Sequence, residues 1–309
     1  MSPTGVVVMA YGTPASPEDV EAYYTDIRRG RPPTDEQLAD LRRRYDAIGG
    51  LSPLAERTEA QRAAIAAALQ ALEPGGFEVV LGQKHAPPFV EDAVTTLADR
   101  GVTRVVGLVL APHYSRSSVG QYHERAIAAG NERGVRVVGI DHWHLEPAYL
   151  DFLADAVRAA AHELPPHHHV VFTAHSLPER ALVDDPYPDQ LRESAQAVAE
   201  RVGLAPWTGW GLAYQSAGRT PDPWRGPDVL EIIRDLGETG RSDGVLVCPQ
   251  GFTSDHLEVL YDLDVEARRV AGESGLAFAR TRSLNDDASV MAALAELVAS
   301  TAASSDRWS

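Results

Sequence analysis

Short apolar runs alternate along the chain with longer stretches in which apolar residues recur at helical spacing. Residues 5–9 (GVVVM), 77–81 (FEVVL), 104–110 (RVVGLVL) and 136–140 (RVVGI) predict strands, with helices between them. A helical stretch over 147–161 follows. The rhythm then restarts, with strands predicted at 169–174, 208–214, 244–248 and 276–281 and a last helix over about 286–300. Strand and helix in alternation imply an α/β protein with mostly parallel sheets, arranged as two similar halves. The expected domains are 1–146 and 147–285, and the segment 286–309 could pack on either half, with a return to the first as one option. The closing SSDRWS reads as a frayed tail.

Composition narrows the class. With 309 residues and 44% hydrophobic content the chain is long enough for two ordinary cores. A formal charge of -16 argues against a general nucleic-acid binder, whose affinity rests on neutralising phosphates with Lys and Arg. Cations and small molecules are the expected partners. Cys248 is the single cysteine, so a disulfide framework, a cysteine-rich zinc site and a four-thiolate iron-sulfur cluster are all excluded. The start, MSPTGVVVMAYG, lacks a basic segment and its apolar run is short for a signal peptide; no stretch approaches a membrane span. The expected compartment is the cytoplasm, without a stable membrane anchor.

Two segments carry candidate chemistry. In PQGFTSDHLEVLYDLDVE, residues 249–266, an apolar strand ends, the chain turns at Gly251, and a helix is expected to open near Ser254. At about 100° per residue, Asp255, Glu258, Asp262 and Glu266 then fall on one narrow face. A solvated acidic face and a metal-binding face both fit such a stripe; like charges at this spacing repel, which favours a compensating cation. In VVFTAHSLP, residues 170–178, another strand delivers His175 to its carboxyl end, where open α/β sheets bind ligands. A basic cluster, Arg28, Arg29 and Arg31 with Arg42, Arg43 and Arg44, stands out in an acidic chain. It suits a carboxylate or phosphate ligand, and surface ion pairing is the competing reading. No GxGxxG and no GxxxxGK[ST] pattern occurs, so dinucleotide and P-loop readings are weak.

Taken together, a series of motifs running in order over nearly the whole chain resembles one family. They are MAYGTP (9–14), YYTDIRRGR (23–31), RYDAIGGLSPLA (44–55), KHAPPF (84–89), LAPHYS (110–115), AHSLPE (174–179), DPYPDQL (185–191), TPDPWRGPDV (220–229) and DHLEVLYDLDVE (255–266). The family is the ferrochelatases, specifically the form of Gram-positive bacteria that acts on coproporphyrin III. The resemblance implies a chelatase-like fold: two Rossmann-like domains, each a parallel β-sheet flanked by helices, with the porphyrin cleft between them. It implies insertion of Fe2+ into coproporphyrin III to give iron coproporphyrin in heme biosynthesis, with no organic cofactor. Other ferrochelatases carry an iron-sulfur cluster on several cysteines, which a chain with Cys248 alone does not supply, and a monomer is the expected state.

The reaction requires loss of two pyrrole protons while ferrous iron sheds water and enters the ring. A neutral imidazole beside a carboxylate suits both tasks. By resemblance, His175 and Glu258 handle metal and accept protons, and which of them is the base stays open. Tyr11 matches a tyrosine that approaches iron axially from the other face of the ring. Asp262 and Glu266 match an outer site for a hydrated divalent ion such as Mg2+. Arg28, Arg29, Arg44 and Ser52 match positions that meet propionates, and coproporphyrin, with four propionates to protoporphyrin's two, gains more from such donors. Arg116 departs from the pattern, a small hydroxyl residue being usual there; an arginine could add a propionate contact or alter the cleft. Lys84 and His85 match a pair at the cleft wall. The alternatives are a chelatase for protoporphyrin IX or another tetrapyrrole, and a heme or porphyrin carrier without turnover.

Overall fold

The computed structural model describes residues 2–205, 209–218, 220–304 and 308. These form two compact units, one running to Trp143 and resuming at Asn285, the other spanning His144–Leu284.

The first unit begins with β1 (Thr4–Ala10), every residue of which is buried. Apolar side chains on both faces suit a strand covered by helices on either side. Then come α1 (Val20–Ile27), α2 (Asp35–Ala47), α3 (Leu54–Leu72), β2 (Phe77–Gln83), α4 (Val90–Asp99), β3 (Arg104–Val109), α5 (Gln121–Arg133) and β4 (Arg136–Ile140). The sheet is parallel, in the order β2-β1-β3-β4. Val6 pairs with Val79 on one side and Val106 on the other. α2 opens on a reciprocal cap in which Thr34 Oγ1 accepts from the Gln37 amide (3.3 Å) and Gln37 Oε1 accepts from the Thr34 amide (3.0 Å). Val7, Met9, Val94, Leu97 and Val105 lie at the centre of the core between this sheet and its helices.

The second unit repeats the plan. α6 (Pro147–Ala161) precedes β5 (His168–His175), α7 (Tyr187–Val202), β6 (Trp210–Gln215), α8 (Val229–Thr239) and β7 (Gly244–Cys248). A turn of helix, α9 (Leu257–Val259), runs directly into a π-helical stretch, Leu260–Ala267, then α10 (Arg268–Glu273) and β8 (Ala277–Arg280). The parallel order is β6-β5-β7-β8, the same permutation as before. Val171, Ile233, Val245, Val247 and Leu263 form its core.

The last helix, α11 (Ala288–Ala303), belongs to the first unit, where it packs on α3. Gln61, fully buried in α3, donates to the Asn285 carbonyl at 2.9 Å and holds the entry to that helix. The frayed tail expected from the sequence gives way at Trp308. Its ring is buried, its Nε1 donates to the Ala302 carbonyl (2.9 Å), and the Arg104 guanidinium lies 4.8 Å above it. Residues 305–307 and Thr208, where the sixth strand was expected to begin, lie outside the described residues.

The acidic helix differs from expectation. It opens at Leu257 rather than near Ser254, and most of the carboxylate stretch is π-helical. Wider i→i+5 turns change which side chains share a face, and such stretches gather at functional sites. Asp255 lies ahead of the helix and is drawn elsewhere: it accepts from Ser283 Oγ at 2.7 Å and pairs with Arg280 at 3.4 Å.

Candidate functional site

In a sheet ordered 2-1-3-4 the connections leave the first strand on opposite sides, so the carboxyl ends of the first and third strands flank the switch point where such sheets hold ligands. In the second unit these ends belong to β5 and β7. β5 ends on His175, and the chain leaving β7 leads to Glu258. Gly251 makes that approach possible: a Cβ there would sit 2.5 Å from Ala174 Cβ, and its amide donates to the Thr173 carbonyl at 3.0 Å.

His175 Nε2 lies 3.5 Å from Glu258 Oε1, and His256 Nε2 lies 3.6 Å from Glu258 Oε2. His175 Nδ1 donates to the Ser176 carbonyl at 2.5 Å, which fixes the ring so that Nε2 is the atom offered to the site. The backbone around the pair is pinned from below. Tyr187 Oη donates to the His175 carbonyl (3.0 Å), Gln215 Nε2 donates to the Glu258 carbonyl (3.0 Å), and Thr173 Oγ1 donates to Gln215 Oε1 (2.8 Å). Asp262, buried in the π-helical stretch, accepts from Ser216 Oγ at 2.5 Å; Ser216 itself has a φ of 60°, an uncommon conformation for a serine. Glu266 lies one π-helical turn further along, half-buried.

Burial works against charge on both members of the pair, yet their mutual attraction prevails. Burial lowers the His175 pKa, but the Glu258 carboxylate and the Ser176 carbonyl raise it from 6.5 to about 9. Burial likewise raises Glu258, and His175 with His256 carries it well below the usual carboxylate range. At neutral pH the resting site is therefore an imidazolium facing a carboxylate. Both side chains keep about a third of their surface open (36% and 35%), so an incoming cation can reach the carboxylate and displace the proton.

The first unit brings its own residues to the matching position. Tyr11 follows β1 directly and is 42% exposed. The β1–β2 ladder continues past the strands through the Lys84 amide to the Ala10 carbonyl (2.9 Å) and the His85 amide to the Tyr11 carbonyl (3.0 Å). This sets the His85 ring 4.6 Å from that of Tyr11, while His85 Nδ1 donates to Asp26 Oδ2 at 2.7 Å. Lys84 is depressed to about 8 by burial and by the charges of Arg125 and Arg29. Arg28 follows α1, stacked over Tyr24 at 5.7 Å, and Arg29 beside it has a φ of 57°. Arg44 is on α2, 3.3 Å from Asp40. Ser52 is buried just before α3 and accepts from the Leu54 amide at 3.3 Å. Arg116 is exposed after the Ser115 cap that follows β3.

Five contributors escaped the sequence reading: His256, Gln215, Ser216, Tyr187 and Arg280. His256 had a signal, standing two residues from Glu258, and Gln215 and Ser216 close a strand at its carboxyl end, as His175 does. Arg280 had none, because its bidentate partner Asp264 (2.8 and 2.9 Å) becomes its neighbour only in the folded chain. Among the described residues no group of three or more His, Cys, Asp or Glu side chains is placed to hold a metal, and no helix is long and apolar enough to cross a membrane.

The two parallel sheets, each with its ligand end at the switch point, define the chelatase class of α/β fold. Solved structures that share it include SirB from Bacillus subtilis with Fe3+ (TM-score 0.59, 12% identity, covering 98% of this chain and 97% of that one). Another is CbiX, described as the terminal enzyme for biosynthesis of siroheme in denitrifying bacteria (TM-score 0.55, 14% identity, 97% and 100%). Within that class the chain belongs to the ferrochelatase family, whose pattern matches residues 3–302, and it is an enzyme of metal insertion. It is 44% identical over 301 residues to the coproporphyrin III ferrochelatase of Geobacillus kaustophilus, covering 95% of this chain and 94% of the relative. The protein of the same name from Halalkalibacterium halodurans is 44% identical over 287 residues, 91% of each chain.

Proposed function

We propose that this protein inserts Fe2+ into coproporphyrin III, releasing iron coproporphyrin for heme biosynthesis. The observation that carries the proposal is the His175–Glu258 pair at the switch point, a proton-storing site open to a cation. It is supported by relatives that bear the name coproporphyrin III ferrochelatase. Fe2+ is drawn to Glu258 as the His175 proton leaves to solvent. The freed Nε2 ligates the entering metal and, once the metal has passed into the ring, the His175–Glu258 pair takes up the two pyrrole protons and passes them to solvent. Tyr11 supplies an axial oxygen to the iron. Arg28, Arg29, Arg44, Ser52 and Arg116 hold propionates. Asp262 and Glu266 have the donor set of a hydrated Mg2+-type ion, which takes one or two carboxylates and keeps water in its other positions. The enzyme acts as a cytoplasmic monomer with no organic cofactor and no iron-sulfur cluster.

The test is anaerobic. Purified protein is mixed with Fe2+ and either coproporphyrin III or protoporphyrin IX while the porphyrin absorption bands are followed. Rapid metalation of coproporphyrin alone is the expected outcome. Equal rates with both would move specificity away from the arginines, and tight binding without metalation would replace the enzyme with a carrier.

The pair also sets a pH dependence. A raised His175 pKa means that its stabilising contribution is complete below 6.5 and lost as pH rises through about 9; the depressed Glu258 contribution holds above 4.5 and fails on acidification. Because the resting imidazolium must be discharged, metal insertion is expected to rise with pH from neutrality toward 9. An NMR titration of His175 should give a midpoint near 9 that falls in Glu258→Gln, where only the Ser176 carbonyl and the Asp262 charge still oppose burial. An unchanged midpoint in that variant would break the assignment.

A further inference from the structure

Tyr11 stands at the end of a strand with 42% of its surface exposed, so its two side-chain torsions are only partly limited by packing. A phenol that meets a metal must hold its oxygen along one direction. The strand-end geometry supplies a guide. β1 and β2 run in parallel with Ala10 beside Gln83, and the ladder extends so that the His85 amide bonds the Tyr11 carbonyl. The two rings stand as near neighbours, centroids 4.6 Å apart at 59°. The loops themselves are closely fitted: a Cβ on Gly12, whose φ is 92°, would lie 2.9 Å from Ala86 Cβ. His85 is in turn held by Asp26 of α1, 2.7 Å from Nδ1, and its side chain is only 13% exposed. A flat ring fixed by one hydrogen bond makes a wall against which a second ring keeps one attitude.

We infer that Asp26 and His85 are positioning residues for Tyr11: Asp26 fixes the His85 ring plane, and the face of His85 fixes the direction in which the Tyr11 oxygen is presented to porphyrin iron. The inference rests on the reading of Tyr11 as axial ligand. Neither residue is assigned as a metal ligand: Asp26 acts on His85, and His85 on Tyr11. Their effect is therefore visible in the iron–oxygen bond itself rather than only in turnover.

The experiment titrates ferric coproporphyrin III into the full chain and reads the phenolate-to-iron charge-transfer absorption together with the phenolate bands in resonance Raman. Tyr11→Phe should abolish both signals. His85→Ala should lower the ligated fraction about tenfold, as loss of an outer partner does at metal sites. Asp26→Ala should weaken the signals and broaden the bands, whereas Asp26→Asn, which still accepts from Nδ1, should preserve them. A wild-type spectrum in His85→Ala, alongside loss in Tyr11→Phe, overturns the positioning role alone. A wild-type spectrum in Tyr11→Phe overturns the axial reading and the inference with it. Equal loss in Asp26→Asn and Asp26→Ala removes the hydrogen bond from the account. If His85→Ala does not fold by circular dichroism, the Asp26 variants decide, since that carboxylate is 47% exposed and its replacement leaves the core intact.

Discussion

His175→Ala is expected to lower metal insertion by about a thousandfold, within the range for loss of a positioned acid–base group, while coproporphyrin III still binds. The imidazole performs two tasks that no neighbour can assume. On the proposed mechanism it stores the proton that Fe2+ displaces, and its Nε2, held by the Nδ1 bond to Ser176, takes part in receiving protons from the ring. His256 sits on the other oxygen of Glu258, at 3.6 Å, with its Nδ1 donating to the Ser254 carbonyl at 2.9 Å. It can steady the carboxylate but lies on the wrong oxygen to replace His175. The backbone should survive the change, because the Tyr187 bond reaches the residue's carbonyl, not its side chain. Glu258→Gln should cost a comparable factor, and the double variant little more than either, as expected for groups acting as one unit. Stopped-flow metalation and fluorescence quenching by bound porphyrin separate the two steps. Turnover within about tenfold of wild type would remove His175 from the mechanism.

Arg280→Ala is expected to destabilise the protein by about 3 kcal/mol, the lower end of the range for breaking a buried ion pair by removing one partner. The guanidinium is 13% exposed and grips Asp264 through two bonds, with Asp255 at 3.4 Å and further bonds to the Thr281 carbonyl (3.0 Å) and Ser283 Oγ (3.3 Å). Burial alone would lower its pKa; the carboxylates of Asp264 and Asp255 reverse that. An exposed pair would contribute no more than about 1 kcal/mol. Here the two carboxylates, 30% and 22% exposed, lose their shared cation while partly buried, and that residual exposure is why the low end of the range applies. Arg280→Lys should recover only part, since an ammonium cannot reproduce the fork. Urea unfolding measures both. A loss below about 1 kcal/mol in the alanine variant would make the cluster a surface ornament.

The contrast between these two residues shows what a linear sequence discloses. β4 and β7 fall on the predicted 136–140 and 244–248, and α6 on 147–161, because buried parallel strands are unbroken apolar runs and an amphipathic helix repeats visibly. Tyr11 and His175 stand out for a related reason: each directly follows such a run, so each sits at the ligand end of its sheet. The π-helical stretch is hidden, since LYDLDVEA satisfies an α-helical pattern equally well; in the folded chain its Leu263 and Ala267 are buried in the core. Asp255, grouped with the other carboxylates by spacing, is diverted by Arg280, a contact made only when β8 comes to lie beside β7. The pairing of Asp26 with His85 is of the same kind, two polar residues joined by the return of a distant strand.

The place of α11 has a consequence for how the molecule is made. A chain emerging from the ribosome presents everything the second unit needs before the first unit has its last helix, because α11 packs on α3 yet is translated after β8. The first unit is therefore completed last, its α3 surface uncovered by α11 until the later half has been made, an inversion of the usual N-to-C order of domain completion. A stalled or clipped product lacking residues from Asn285 onward would carry a finished second unit and an unfinished first, and its exposed α3 surface is where chaperone capture or aggregation would begin.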